Sequence, residues 1–164
     1  MELKVYINTW GRYNEGKTGA WFTLGENDNE DFTELLESKI VDSDAEYFIQ
    51  DYDSIGFEVS EYDNFFEMNE KLYEIDDYFE DMFLAVCEFE GTASAFEEAE
   101  NGFEHYYLID VENEEELGQH LLDEGLMGDI PESIEKYLDV EEIGRDWAMN
   151  DTSEFTSFGY IYKV

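Results

Sequence analysis

Residues 63–86 read DNFFEMNEKLYEIDDYFEDMFLAV, from Asp63 to Val86. On a wheel of about 100° per residue, Asp63, Glu67, Glu70, Glu74, Asp77 and Asp81 all fall within about 40° of one line. Phe65, Met68, Leu72, Ile75, Phe79, Met82, Phe83 and Val86 fall on the opposite face. This spacing predicts an amphipathic helical segment, either one helix or two broken near Asp76. Most charge runs are simply solvated helix faces. Such faces normally mix signs, because like charges three or four residues apart destabilise a helix. Five successive like pairs oppose this one by about 1–2.5 kcal/mol, at ~0.2–0.5 kcal/mol each. A row kept one-signed at that cost points to a function that uses carboxylates.

Outward from this segment the pattern changes on both sides. Before it, Leu3-Lys4-Val5-Tyr6-Ile7 alternates as a strand does, and Ala20–Leu24 reads as a second strand. Tyr13 to Gly19 reads as a glycine-containing loop between them. A helix is expected around Phe32, Leu35, Leu36 and Ile40. Tyr47-Phe48-Ile49 and Phe57-Glu58-Val59 read as further strands joined through Asp51–Gly56. After it, His105 to Val111 reads as a strand. Asn113 to Glu124 reads as a helix with a capping box at Asn113 and Glu116, stopped by Gly125. Pro131 is expected to open another helix. Phe155, Phe158, Tyr160 and Tyr162 around Gly159 suggest a closing hairpin. The fold class expected is α+β, in three parts: 1–60 mixed sheet and helix, 61–103 acidic and helical, 104–164 α/β.

The whole composition agrees with a charged surface on a real core. Across 164 residues, 45 Asp and Glu stand against 8 Lys and Arg, a formal charge of -37. Such an excess alone suggests disorder. Thirteen Phe, twelve Tyr and three Trp oppose that reading, since each large ring buries roughly 150–250 Å². The chain is therefore expected to fold. Its field repels nucleic acid and anionic membranes and attracts basic surfaces or cations. No secretory segment and no membrane span is legible, so a cytoplasmic location is expected. Cys87 lies in the apolar run Met82–Cys87 and reads as a core residue.

Candidate chemistry is thin. Two histidines, His105 and His120, and one cysteine cannot assemble a Cys/His zinc set. No phosphate-binding glycine motif occurs. Asp51-Tyr52-Asp53-Ser54-Ile55-Gly56 starts like a calcium loop, but Ile55 and Tyr62 stand where oxygen ligands are needed. Acid pairs suited to glycoside hydrolysis arise by chance among so many carboxylates. No catalytic set, metal or cofactor is expected. What remains is charge. Duplex DNA carries one negative charge per ~1.7 Å of axis, so 37 charges match roughly 63 Å, about 18 base pairs. An acidic protein of this kind would present a DNA-binding groove with the negative oxygens it receives from phosphates. The alternative is a cation-binding or salt-adapted acidic protein without a DNA-enzyme target.

Two further stretches carry a resemblance. Tyr13-Asn14-Glu15-Gly16 followed by Gly19-Ala20-Trp21-Phe22 resembles the N-terminal signature of the ArdA antirestriction proteins. Glu124-Gly125-Leu126-Met127-Gly128-Asp129-Ile130-Pro131-Glu132-Ser133, continuing to Tyr137-Leu138-Asp139 and Gly144-Arg145-Asp146, is similar to that family in order and spacing. The middle third matches in acidity and helical character rather than in letters. The resemblance implies an elongated row of three domains that dimerises through the C-terminal one. It implies carriage on plasmids or conjugative transposons, and inhibition of type I restriction-modification enzymes by mimicry of bent DNA. The motif residues Gly125, Leu126, Gly128, Pro131, Gly144, Arg145 and Asp146 are expected in structural roles. Gly125 and Gly128 would serve turns, and Arg145 an ion pair. Asp63, Glu67, Glu70, Glu74, Asp77 and Asp81 are the candidate DNA-mimic surface.

Overall fold

Alternation along the first strand sets the first sheet. The computed structural model describes residues 3–43, 46–54, 56, 58–149 and 152–164. Their contacts divide between two compact units, Met1–Glu80 and Asp81–Val164. The division falls inside the segment 61–103 that the sequence marks as one part. Each unit has its own three-stranded antiparallel sheet.

In the first unit, β1 (Leu3–Thr9) is central, between β2 (Ala20–Leu24) and β3 (Tyr47–Ser54). Leu3, Val5 and Ile7 are fully buried while Lys4 and Tyr6 on the other face are not. Tyr6 faces Asp51 and Ile7 faces Ile49, so Gln50 is the extra residue of a bulge. Between β1 and β2 the expected loop is shorter than Tyr13–Gly19. Tyr13 and Asn14 belong to α1 (Trp10–Asn14), which Thr9 caps by accepting from Arg12 N–H at 3.2 Å. β3 runs on through Asp51–Ser54, pairing with β1 as far as Leu3, where the sequence suggests a connecting turn. Asp and Ser favour turns, and this edge strand is exposed from Gln50 to Asp53, so it carries no apolar signal. Glu58 and Val59 are not in a strand. Phe57 lies outside the described residues.

Helix α2 (Asn29–Lys39) starts where Asp28 accepts from the N–H groups of Glu30 and Asp31, both at 3.0 Å. Helix α3 (Phe65–Glu74) starts at Asn64, which accepts from Phe66 and Glu67 N–H. Phe32 of α2 joins the layers. Its ring lies 5.8 Å from Phe22 on β2 and 5.7 and 6.1 Å from Phe66 and Phe65 on α3. Full burial of one such ring contributes about 1.5–3 kcal/mol.

The second unit begins at Asp81 within α4 (Glu80–Glu90), followed by α5 (Thr92–Ala99). Phe83 meets Phe96 at 5.1 Å and Phe103 at 6.4 Å. The sheet order is β4 (Tyr106–Ile109), β6 (Gly159–Lys163), β5 (Ser153–Thr156), the last two forming the expected hairpin. Helix α6 (Glu114–Asp123) is capped by Asn113, which accepts from Glu116 N–H, while the Glu116 carboxylate reaches back to Glu112 N–H at 2.9 Å. Helix α7 (Glu132–Glu135) is a single turn, and Pro131 stands at its N-cap rather than as its first residue. Helix α8 (Val140–Ala148) lies against α6. Val111, Leu117, Leu121 and Tyr160 form the core between these helices and the sheet, with Ile143 and Phe155 packed on them.

Candidate functional site

Glu67, Glu70 and Glu74 lie three and four residues apart on α3, and all three are exposed. The opposite face carries Phe65, Met68 and Leu72, all buried. Lys71, beside the row, pairs with Glu67 at 3.4 Å and is the only Lys or Arg in the sequence between residues 63 and 86. The remaining stripe residues are exposed but not on this helix. Asp63 precedes the Asn64 cap, and its Oδ2 accepts from Ser60 N–H at 2.8 Å. Asp77 opens a 3-10 turn, Asp77–Phe79, that Asp76 caps. Asp81 stands on α4 in the second unit. The helix is thus broken at Ile75–Asp76, as the two-helix version of the sequence reading expects. A single wheel describes only Glu67, Glu70 and Glu74.

One α3 residue went unread in the sequence. Asn69 is fully buried among apolar neighbours. Its Oδ1 accepts from Gly25 N–H at 2.9 Å, and its Nδ2 donates to the Asn27 carbonyl at 3.0 Å and Asn29 Oδ1 at 2.9 Å. The acidic face is therefore oriented from beneath by an amide that satisfies the β2–α2 turn. Gly25 has φ +83, and a Cβ there would stand 2.9 Å from Leu72 Cβ.

The C-terminal motif residues surround the α6–α8 pair. Gly125 ends α6: its N–H reaches the Leu122 carbonyl at 3.1 Å and Leu126 N–H reaches Leu121 at 2.9 Å, with Gly125 at φ +67. Gly128 donates to the Gly125 carbonyl at 3.0 Å. On α8, a Cβ at Gly144 would stand 1.8 Å from the Glu114 carbonyl oxygen, and one at Gly118 would stand 1.9 Å from that of Val140. The two glycines let the backbones cross in contact. Arg145 beside them reaches Glu114 at 3.3 Å, Glu141 at 2.6 Å and Glu142 at 3.7 Å. Glu114 and then Glu141 hold its guanidinium above its ordinary pKa. Pro131 caps α7. Leu126 and Asp146 are exposed.

Titratable groups elsewhere have local tasks. Cys87 is buried, and burial pushes its thiol up to about 12, so it is a neutral thiol at neutral pH. The Tyr106 hydroxyl donates to Glu90 at 2.6 Å, and Lys163 adds bonds at 3.0 Å. Tyr106 first, and Lys163 after it, hold the Glu90 carboxyl below its usual value. His105 lies 2.9 Å from Glu98. Among the described residues no three His, Cys, Asp or Glu side chains are grouped to hold a metal. Asp51 and Asp53 of the suggested calcium loop lie instead in a strand. No helix among the described residues is long and apolar enough to cross a membrane.

Residues 5–162 match the family model of the antirestriction protein (ArdA). The chain belongs to the ArdA antirestriction family. The match spans both sheets, α3 and the Gly125–Asp146 motif, and so covers nearly the whole chain. No curated protein matches the chain. Proteins of the ArdA family act against restriction, as inhibitors rather than enzymes. Membership makes restriction-modification enzymes the partner class.

Proposed function

We propose that this chain inhibits type I restriction-modification enzymes by occupying their DNA-binding groove, with carboxylates in place of phosphates and no catalysis of its own. The observation that carries the proposal is a formal charge of -37 on a chain with two packed cores, with Glu67, Glu70 and Glu74 outward on α3 and almost no countercharge. A groove built for DNA presents Lys and Arg at phosphate spacing, and phosphate contacts position a ligand without reading its sequence. A protein that supplies the charge alone would engage such enzymes whatever their recognition site. Asp63, Asp77 and Asp81 extend the same surface in this proposal.

The proposal includes an elongated row of three parts, 1–60, 61–103 and 104–164, paired into a homodimer through the last. Support for the dimer comes from large apolar side chains left in solvent between residues 126 and 149. Tyr137 is 77% exposed, Met149 74% and Leu126 52%. Carriage on a plasmid or conjugative transposon, with action in the bacterial cytoplasm, completes the proposal. The test is competition. Titrated against labelled duplex on a purified type I methyltransferase, the protein should displace DNA fully. DNA and protein bound together at saturation would overturn the mechanism.

A further inference from the structure

Beside the outer edge of β3, where Ile49 N–H donates to the Glu61 carbonyl at 3.4 Å, lies a cleft of about 360 Å³ whose lining residues include no Lys, Arg or His. Trp10 and Phe48 stack at 3.9 Å with planes 10° apart, and Tyr13 meets both edge-on at 6.0 and 5.9 Å. Tyr52 adds a fourth ring, and Asp51 and Glu61 add two carboxylates. Phe48 is buried beneath Trp10, while Trp10 at 38% and Tyr13 at 50% exposure keep ring surface open to solvent. The nearest basic residues in sequence are held elsewhere. Arg12 donates to the carbonyls of Thr18 and Val41, and Lys17 pairs with Glu15. Asp51 spends one oxygen on Tyr52 N–H at 2.9 Å, and the Glu61 carboxylate touches the Tyr62 hydroxyl. Each carboxylate has a second oxygen besides.

We infer that this cleft receives an arginine side chain of the partner protein. Aromatic faces attract cations through the ring quadrupole, more often arginine than lysine. A guanidinium is planar, stacks on rings and offers five donors to flanking carboxylates. The apolar wall also takes the methylene stem, which a phosphate-like surface carboxylate does not do. The cleft would thus grip one arginine by shape, where the α3 face attracts many by charge. This rests on the proposed binding to a basic protein groove, and its test separates the two.

The first experiment uses the whole protein and N-acetyl-arginine methylamide, followed by NMR at the three indole N–H signals. Trp10 should shift and saturate while Trp21 and Trp147 stay still, and the citrulline analogue, which lacks the charge, should leave all three unmoved. Asp51→Asn with Glu61→Gln should weaken the arginine response by roughly tenfold. Equal responses to both compounds, or none at Trp10, would overturn the inference. The second uses competition with DNA on the methyltransferase. The same pair of changes should raise the concentration needed by roughly tenfold relative to Glu34→Gln with Glu124→Gln, which removes the same charge at exposed sites elsewhere. Equal losses from both pairs would overturn the cleft as an arginine site in the complex while leaving DNA mimicry intact. A wild-type protein that does not compete, with Trp10 still selective for arginine, would overturn the proposed function and the enzyme as partner, not the cleft's chemistry.

Discussion

At the scale of single residues, Asn69 shows best what a pattern of apolar spacings conceals. It lies on the inner face of α3 between Met68 and Leu72, both buried, and so adds a polar group to a face read only for hydrophobicity. The turn groups it satisfies, Gly25 and Asn27, are 44 and 42 residues away in sequence, so nothing local to either segment announces the bond. Asn69→Leu keeps much of the volume but strands Gly25 N–H and the Asn27 carbonyl. Each orphaned buried group costs about 1–3 kcal/mol. Urea unfolding of the first unit should therefore show a loss of about 2–6 kcal/mol, with the second unit's transition unmoved. A loss in the second unit, or none at all, would show that the amide is not what holds α3 to the turn. Cys87 was readable from its apolar run alone, because its environment is its sequence neighbourhood.

Elements were legible where burial alternates or repeats along one segment, and not where an element is exposed or defined by another. The limits of β2 and the first five residues of β1, Leu3 to Ile7, follow from alternation, whereas Asn8 and Thr9 break it because both are buried. Between one helix and two broken near Asp76, the structure has the break. The far half of β3 was missed because pairing to β1, not side-chain burial, makes it a strand. The reason for Gly144 was also missed, since only the crossing of α6 and α8 shows it. Gly144→Ala should gain about 1 kcal/mol of helix propensity. Against that stands a Cβ 1.8 Å from a carbonyl oxygen, and overpacking of this kind costs about 1–3 kcal/mol or more. The clash wins. Thermal unfolding of the second unit should fall by several degrees, and an unchanged midpoint would mean that the helices part without cost. The α3 row carries the opposite expectation. Changing Asp63, Glu67, Glu70, Glu74, Asp77 and Asp81 to Asn or Gln removes repulsion, so the fold should persist with equal or greater stability. Inhibition of the restriction enzyme should weaken. Preserved inhibition on an intact fold would reduce the row to a solvated face.

For the whole molecule the candidate surface was legible in charge but not in geometry. Composition shows that acids outnumber bases more than fivefold, yet which carboxylates share one plane depends on a helix break and on a unit boundary at Glu80 and Asp81. Small-angle scattering tests the proposed row and dimer. A compact monomer of this length has a radius of gyration near ~15 Å, and a row of parts paired at one end should exceed it well. A value at the compact figure would remove the length match to duplex DNA. Salt tests the mimicry itself. Attraction between the carboxylates and a basic groove is screened as ionic strength rises, the Debye length falling from about 10 Å at 0.1 M to about 3 Å at 1 M. DNA loses affinity more steeply, because its binding draws on release of condensed counterions, a term that scales with each phosphate neutralised. A folded protein with carboxylates on flexible side chains condenses fewer ions than a duplex, so its binding gains less from their release. Both ligands should bind the methyltransferase more weakly at higher salt, and the protein should lose less. The ratio of protein to duplex needed for half displacement should therefore fall as salt is raised. A ratio that rises would mean the protein depends on charge more than DNA does, and an acidic surface acting through phosphate positions could not produce that result.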